Sequence, residues 1–212
     1  MKDLDVVVVA SGEGPKLTLP PAGSVVVADG GLLRARELGL AVDVVVGDLD
    51  SVTPEALAAA EEAGARIVRH PAAKDATDLE LALDEAVALG ARRVLLVASA
   101  SGRLDHLLGS LLVLGSERYA RLRLDALVGD ALVHVVRDDR TLPGAAGELL
   151  SLLAVGGPAV GVVTEGLEYP IRRETLEPGS SRGVSNVFTG TAARVVLDRG
   201  VLLAIRPAGA TA

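Results

Sequence analysis

Residues 42–51 read Val-Asp-Val-Val-Val-Gly-Asp-Leu-Asp-Ser, a run of β-branched apolar residues that stops at two aspartates separated by one leucine. Three consecutive valines, Val44 to Val46, suit a parallel strand covered on both faces, and Gly47 lets the backbone turn without a Cβ penalty. Asp48 and Asp50 then stand at the carboxyl edge of that strand. Open α/β sheets bind ligands along this edge, and in extended chain carboxylates at i and i+2 point to the same side. Two readings fit a D-x-D placed there. The aspartates form Asx turns that start the next helix, or they offer the oxygen ligands that suit magnesium.

The neighbouring segments repeat the pattern. Val6–Ala10 reads as a strand running into Ser11-Gly12-Glu13-Gly14-Pro15, a small-residue loop that would let a ligand approach the backbone. Val25–Ala28 closes on Asp29-Gly30-Gly31, with a helix expected over Leu32–Leu38 and Gly39 placed to cap it. Beyond Asp50, Thr53 as N-cap and Pro54 in the first turn predict a helix that stops at Gly64, before a strand over Ala65–Val68. In Lys74-Asp75-Ala76-Thr77-Asp78-Leu79-Glu80 the Thr77 and Glu80 spacing is that of a capping box. The helix it starts should run to about Leu89, with Leu79, Ala82, Leu83, Ala86 and Val87 on its buried side. Asp78 falls in the first turn, where an acidic residue complements the helix dipole, and Lys74 with Asp75 fits a solvated surface pair. A further strand, Val94–Ala98, ends in Ser99-Ala100-Ser101-Gly102-Arg103-Leu104-Asp105-His106, followed by a leucine-rich helix through Leu114. The planar fork of Arg103 can hold two phosphate oxygens at once.

This alternation of strand and helix predicts an N-terminal doubly wound, Rossmann-like parallel sheet over residues 1–128. Past Gly129 the pattern changes to short strand-like runs separated by Gly, Pro and Asp: Ala131–Val136, Glu148–Val155, Ala159–Glu165, Ala193–Leu197 and Val201–Ile205. Asp198-Arg199-Gly200 between the last two is a tight hairpin signal. The expectation for residues 129–212 is a C-terminal antiparallel β-sandwich. The polar stretch Pro178–Asn186 reads as a loop within it.

Composition narrows the partners. The 212 residues hold 21 Lys plus Arg against 28 Asp plus Glu, a net charge of −7, which disfavours a nucleic-acid backbone or an anionic membrane surface. A polyphosphate ligand would need a metal and local basic residues to offset the repulsion. There is no cysteine, hence no disulfide and no thiolate metal site. The amino terminus carries two aspartates where a signal peptide is basic, and no segment is long and apolar enough to span a bilayer. A cytoplasmic protein is expected. No P-loop, H-E-x-x-H or nucleophile-elbow motif occurs.

Taken in order and spacing, ADGG at 28–31, GDLDS at 47–51, KDATDLELAL at 74–83, SGRLDH at 101–106 and GVSN at 183–186 closely resemble the thiamine pyrophosphokinase family across nearly the whole chain. The resemblance implies transfer of a diphosphate from ATP to the hydroxyethyl oxygen of thiamine, giving thiamine diphosphate and AMP. It implies a homodimer in which the thiamine site forms between the α/β domain of one subunit and the β domain of the other. Asp48, Asp50 and Asp78 would hold Mg2+ and the ATP phosphates. Arg103 and Asp105 would join them in catalysis, and Asp29, Gly30, Lys74, Asp75, Thr77 and His106 would lie on the ATP side. Ser185 and Asn186 would reach thiamine from the partner chain, with Phe188 as the first candidate to stack on its rings. The chain departs from the family at Leu32-Leu33, where Ala-Asn is common, and at Ser110, where an asparagine is usual. Two other readings stand beside this one: a related pyrophosphokinase acting on a hydroxymethylpterin-like acceptor, and a non-catalytic nucleotide- or thiamine-sensing module.

Overall fold

Valine-rich runs become strands and the capped segments between them become helices in the first half of the chain. The computed structural model describes residues 4–14 and 18–207; Pro15, the last residue of the expected glycine loop, lies outside them. Strands β1 (Leu4–Val9), β2 (Ala22–Ala28), β3 (Val44–Gly47), β4 (Arg66–Arg69), β5 (Arg93–Ala98) and β6 (Arg123–Val128) alternate with helices α1 (Gly31–Glu37), α2 (Pro54–Glu62), α3 (Asp78–Ala88) and α4 (Leu104–Leu114). The strands pair in parallel in the order β6-β5-β1-β2-β3-β4. The chain thus winds outward from β1 to β4, then returns to the other side of β1, so β1 and β5 flank the point where the winding reverses. Alternate residues of the strands face opposite ways. Val7, Val9, Val25, Val27, Val45, Leu95 and Val97 pack against Leu32 and Ala35 of α1 and Ala56 and Leu57 of α2. Helix α3 packs on β1, β2 and β3, burying Leu79, Ala82, Leu83 and Ala86. Val87, expected on that buried side, is 46% exposed, because it lies in the last turn before the helix ends at Ala88.

Local chemistry explains the helix starts. Thr53 Oγ1 accepts from Ala56 N at 3.3 Å, with Pro54 opening α2. At α3 the capping box is complete: Thr77 Oγ1 accepts from Glu80 N at 3.3 Å and Glu80 Oε2 accepts from Thr77 N at 3.1 Å.

By contact the chain divides into Met1–Val113 with Arg121–Asp130, and Leu114–Ala120 with Ala131–Ala212. The short segment belongs with the second unit for a visible reason: Arg137 donates to Ser116 O at 2.7 Å and to Glu117 Oε1 at 2.9 Å. The second unit is a β-sandwich of two antiparallel sheets. Its strands are β7 (Ala131–Val136), β8 (Asp139–Pro143), β9 (Leu149–Ala154), β10 (Ala159–Glu165), β11 (Arg172–Leu176), β12 (Asn186–Val187), β13 (Ala192–Val196) and β14 (Leu202–Arg206). One sheet runs β12-β9-β14-β7 and the other β11-β10-β13-β8. Val136, Leu150, Leu152, Leu202 and Ala204 of the first meet Leu142, Ala159, Val162, Leu176 and Val195 of the second in one core.

The expected hairpin at Asp198-Arg199-Gly200 is absent. Strand β13 pairs with β10 and β8, whereas β14 pairs with β7 and β9, so this turn carries the chain from one sheet to the other. It leans on β10, with Asp198 N donating to Val160 O at 2.9 Å and Val160 N to Arg199 O at 2.8 Å. Among the described residues, no helix is long and apolar enough to cross a membrane.

Candidate active site

The carboxyl ends of β2 and β3 and the start of α3 converge. Asp29 follows β2, Asp48 follows β3 and Asp78 opens α3, and each offers a carboxylate oxygen within 4.8 Å of the others. Backbone geometry arranges this. Asp29 adopts φ 42° and Leu49 φ 63°, left-handed conformations that non-glycine residues take only when the surroundings enforce them. Because Leu49 is left-handed, the chain from Asp48 to Asp50 is not extended, and the alternation that would put i and i+2 on one side does not apply. Asp50 is therefore outside the group, exposed, with its Oδ1 accepting from Ser51 Oγ at 3.0 Å. Asp29 takes the third place instead.

Gly47 makes room for the cluster. A Cβ there would lie 2.8 Å from Asp78 Oδ1 and 3.0 Å from Asp29 Cβ, at a φ of 148°. Lys74 reaches in from the loop after β4, a loop pinned by the bond from His70 N to Gly47 O at 2.8 Å. Its Nζ is 3.0 Å from Asp48 Oδ2 and 3.0 Å from Asp78 Oδ1, with only 14% of the side chain exposed. The second contact is an ion pair without hydrogen-bond alignment. Asp78 Oδ1, like Asp29 Oδ1, is buried with no hydrogen-bond partner among the described residues. The hydrogen bond from Lys74 holds the Asp48 carboxyl below the usual carboxylate range. Burial alone would depress Lys74, but its close contacts with the Asp78 and Asp48 carboxylates outweigh that and raise it. Three carboxylates against one ammonium leave two negative charges. Asp29 Oδ1, buried without a hydrogen-bond partner, Asp78 Oδ1, met by the Lys74 ammonium, and an all-oxygen donor set fit a hard divalent cation such as magnesium.

The other expected site residues lie around this edge with different commitments. Arg103 and Asp105 form an exposed bidentate pair, Nε to Oδ1 at 3.2 Å and Nη2 to Oδ2 at 2.7 Å. These bonds lower Asp105 to about 2 and raise Arg103. Gly30 sits between Ser51 and Ser11, whose Cβ atoms would be 3.3 and 3.4 Å from an added Cβ. Thr77 is committed to the α3 cap, while Asp75 and His106 are exposed.

Two family models match the chain end to end in this order: thiamin pyrophosphokinase, catalytic domain, over residues 17–125, and thiamin pyrophosphokinase, vitamin B1 binding domain, over residues 133–202. The chain belongs to the thiamine pyrophosphokinase family. Among curated relatives, thiamine pyrophosphokinase 1 of Oryza sativa subsp. japonica is 25% identical over 181 residues, covering 77% of this chain and 65% of the rice protein. Thiamine pyrophosphokinase of Bacillus subtilis is 24% identical over 186 residues, covering 84% of each. Among solved structures, the Bacillus subtilis thiamine pyrophosphokinase superposes with a TM-score of 0.80 at 21% identity, covering 99% of this chain and 100% of that one. The Enterococcus faecalis thiamin pyrophosphokinase family protein reaches 0.82 at 24% identity, covering 97% and 99%.

In this member of the thiamine pyrophosphokinase family, two residues expected on the acceptor side are buried in the unit that matches the vitamin B1 binding domain. Phe188 is 1% exposed, inside the sandwich core beneath Gly144, with the Arg206 guanidinium 5.8 Å from its ring centre. It has no face to offer a ligand. Asn186 is 3% exposed and spends its amide on backbone, accepting from Tyr169 N at 3.0 Å and donating to Tyr169 O at 2.7 Å. What it presents is Tyr169, 55% exposed, an aromatic between Gly166 and Pro170 whose flanking turn residues were the available sequence signal. Ser185 is exposed at φ 57°, its N donating to Ser151 Oγ at 3.1 Å. At the departures in the α/β unit, Leu32 is a core residue at 1% exposure, Leu33 is 54% exposed, and Ser110 bonds its own helix at His106 O.

Proposed function

We propose that this protein transfers diphosphate from ATP to the hydroxyethyl oxygen of thiamine, giving thiamine diphosphate and AMP. The observation that carries the reading is the group Asp29, Asp48 and Asp78 with Lys74, gathered at the strand ends of the unit that matches the family's catalytic domain. Asp29, Asp48 and Asp78 would hold Mg2+, which when bound supplies charge neutralisation on the phosphates. Lys74 orients two of these carboxylates and adds positive charge beside them. Arg103, exposed and able to exchange Asp105 for phosphate oxygens, would steady charge on the transferred group. The thiamine alcohol attacks the β-phosphorus, the bond between the β-phosphorus and its bridging oxygen to the α-phosphate breaks, AMP departs and the alcohol proton is released. No activated serine or cysteine is needed, in keeping with a chain that has no cysteine.

On the acceptor side, Tyr169 replaces Phe188 as the ring available for stacking, held in place by Asn186. A homodimer that brings the β-sandwich of one subunit to the α/β unit of its partner would complete the site. In support, α4 exposes Leu104, Leu108 and Leu112 at 76%, 54% and 51%, one stripe at i, i+4 and i+8. The cytoplasm, where ATP and magnesium are plentiful, is the compartment of this reading.

The test is AMP formation from ATP and Mg2+ with thiamine, with a hydroxymethylpterin, and with no acceptor. Thiamine-dependent AMP release is expected. AMP release with the pterin alone would move the acceptor assignment, and none with either would leave a sensor.

A further inference from the structure

The Lys74 ammonium stands where a cation held by Asp48 and Asp78 would stand. Its Nζ is 3.0 Å from Asp48 Oδ2 and 3.0 Å from Asp78 Oδ1, with 14% of the side chain exposed. Asp78 Oδ1 is closed in by this ammonium and by the backbone at Gly47, where an added Cβ would come within 2.8 Å of it. The third carboxylate is served differently. Asp29 is 8% exposed, and its Oδ1 is buried with no hydrogen-bond partner among the described residues. One ammonium thus covers two carboxylates of the group, and the buried oxygen of the third still calls for a cation.

An ammonium and a divalent cation cannot share these oxygens freely. Magnesium holds oxygen ligands at about 2.1 Å, so an ion on Asp78 Oδ1 would lie no more than about 5 Å from Nζ. Like charges that close repel strongly in a partly buried site. The segment that carries Lys74 allows the ammonium to leave. It is fixed at one end by His70 N on Gly47 O and at the other by Thr77 in the α3 cap, while Pro71, Ala72 and Ala73 between them are exposed. The flexible four-carbon stem can swing without moving either anchor.

We infer that Lys74 is a built-in counter-ion, which competes with the divalent cation for Asp48 and Asp78 and releases them when a polyphosphate arrives to take its ammonium. Free cation is held off, and metal and polyphosphate bind as a pair, each favouring the other by the same factor. This rests on the function proposed above and adds a binding order to it.

The first probe is Mn2+ alone, titrated into the protein without nucleotide or thiamine and read by the electron paramagnetic resonance of the free ion. Lys74→Met is expected to bind Mn2+ at least ~10-fold more tightly than the wild type, because a competing positive charge is gone. The second probe is the preformed complex of Mn2+ with inorganic tripolyphosphate, titrated calorimetrically. Here Lys74→Met is expected to bind at least ~10-fold more weakly, the loss of one charge-assisted phosphate contact. Effects of opposite sign cannot come from loss of structure, which weakens both. Lys74→Gln, neutral but still a donor to one carboxylate, should show the same two signs. Without metal both variants should melt below the wild type, and Mn2+ should raise their melting temperatures more. Mn2+ binding by the folded variants that is equal to or weaker than that of the wild type would make Lys74 an orienting residue and overturn the inference. That result beside thiamine-dependent AMP release by the wild type removes the inference alone. A wild type that binds neither probe removes the metal site of the proposed function, and the inference with it.

Discussion

Asp105 and Arg103 are both more than half exposed, so their pairing contributes little to stability, but it sets the charge of the loop after β5. The Arg103 hydrogen bonds lower Asp105 from the ordinary 3.8 to about 2. A depressed carboxyl contributes stability above its unfolded pKa and loses it as pH falls through the folded one, here between roughly 4 and 2. A carboxyl-carbon NMR titration should place the Asp105 midpoint near 2, and Arg103→Gln should return it toward 3.8. An unchanged midpoint in the variant would separate the two residues. Phe188 makes the opposite kind of statement. At 1% exposure in the sandwich core it is a packing residue, so Phe188→Ala should cost about 3–5 kcal/mol by denaturant unfolding. Tyr169→Ala should instead raise the thiamine KM with little change in stability. A Phe188→Ala variant of native stability with a raised thiamine KM would reverse these roles.

At the scale of elements, the decisive piece is the end of β3. Its last residue, Gly47, holds φ 148° and leaves empty the volume that a Cβ would take between Asp78 and Asp29. Gly47→Ala adds one methyl, strains the backbone and pushes the carboxylates apart. A displacement of this order costs about 100-fold in rate where geometry sets the chemistry. AMP release at saturating Mg2+ should fall by that amount while the circular dichroism spectrum stays native. Wild-type turnover with an unchanged Mg2+ requirement would remove the carboxylate group from the mechanism. Helix α3 contributes differently: its capping box fixes the helix start and so places Asp78 in the first turn.

For the whole molecule, the exposed leucine stripe on α4 is where the proposed homodimer is tested. Leu108→Lys should convert a dimer into a monomer in sedimentation equilibrium and lower thiamine-dependent activity in step, whereas an unchanged mass would place the interface elsewhere. The sequence alone determined the alternating α/β half, the β half, the capped starts of α2 and α3, and the aspartates at strand ends. Each of these is written in local chemistry: valine runs of strand length, a threonine three residues before a glutamate, a glycine where the chain must turn. Long-range pairing was decided only in three dimensions. The alternation of Ala193–Leu197 and Val201–Ile205 is the same whether the two strands form a hairpin or join different sheets, and only Asp198 and Arg199 bonding to Val160 selects the second. Edge strands such as β8 and β11, rich in charge and half solvated, have a pattern close to that of loops. That Asp29 rather than Asp50 lies near Asp48 and Asp78 was not legible, because the left-handed backbone at Leu49, a buried residue, carries no sequence signal. That Phe188 is buried and Tyr169 exposed was likewise not legible, because the side on which an aromatic residue faces depends on which strand it packs beneath.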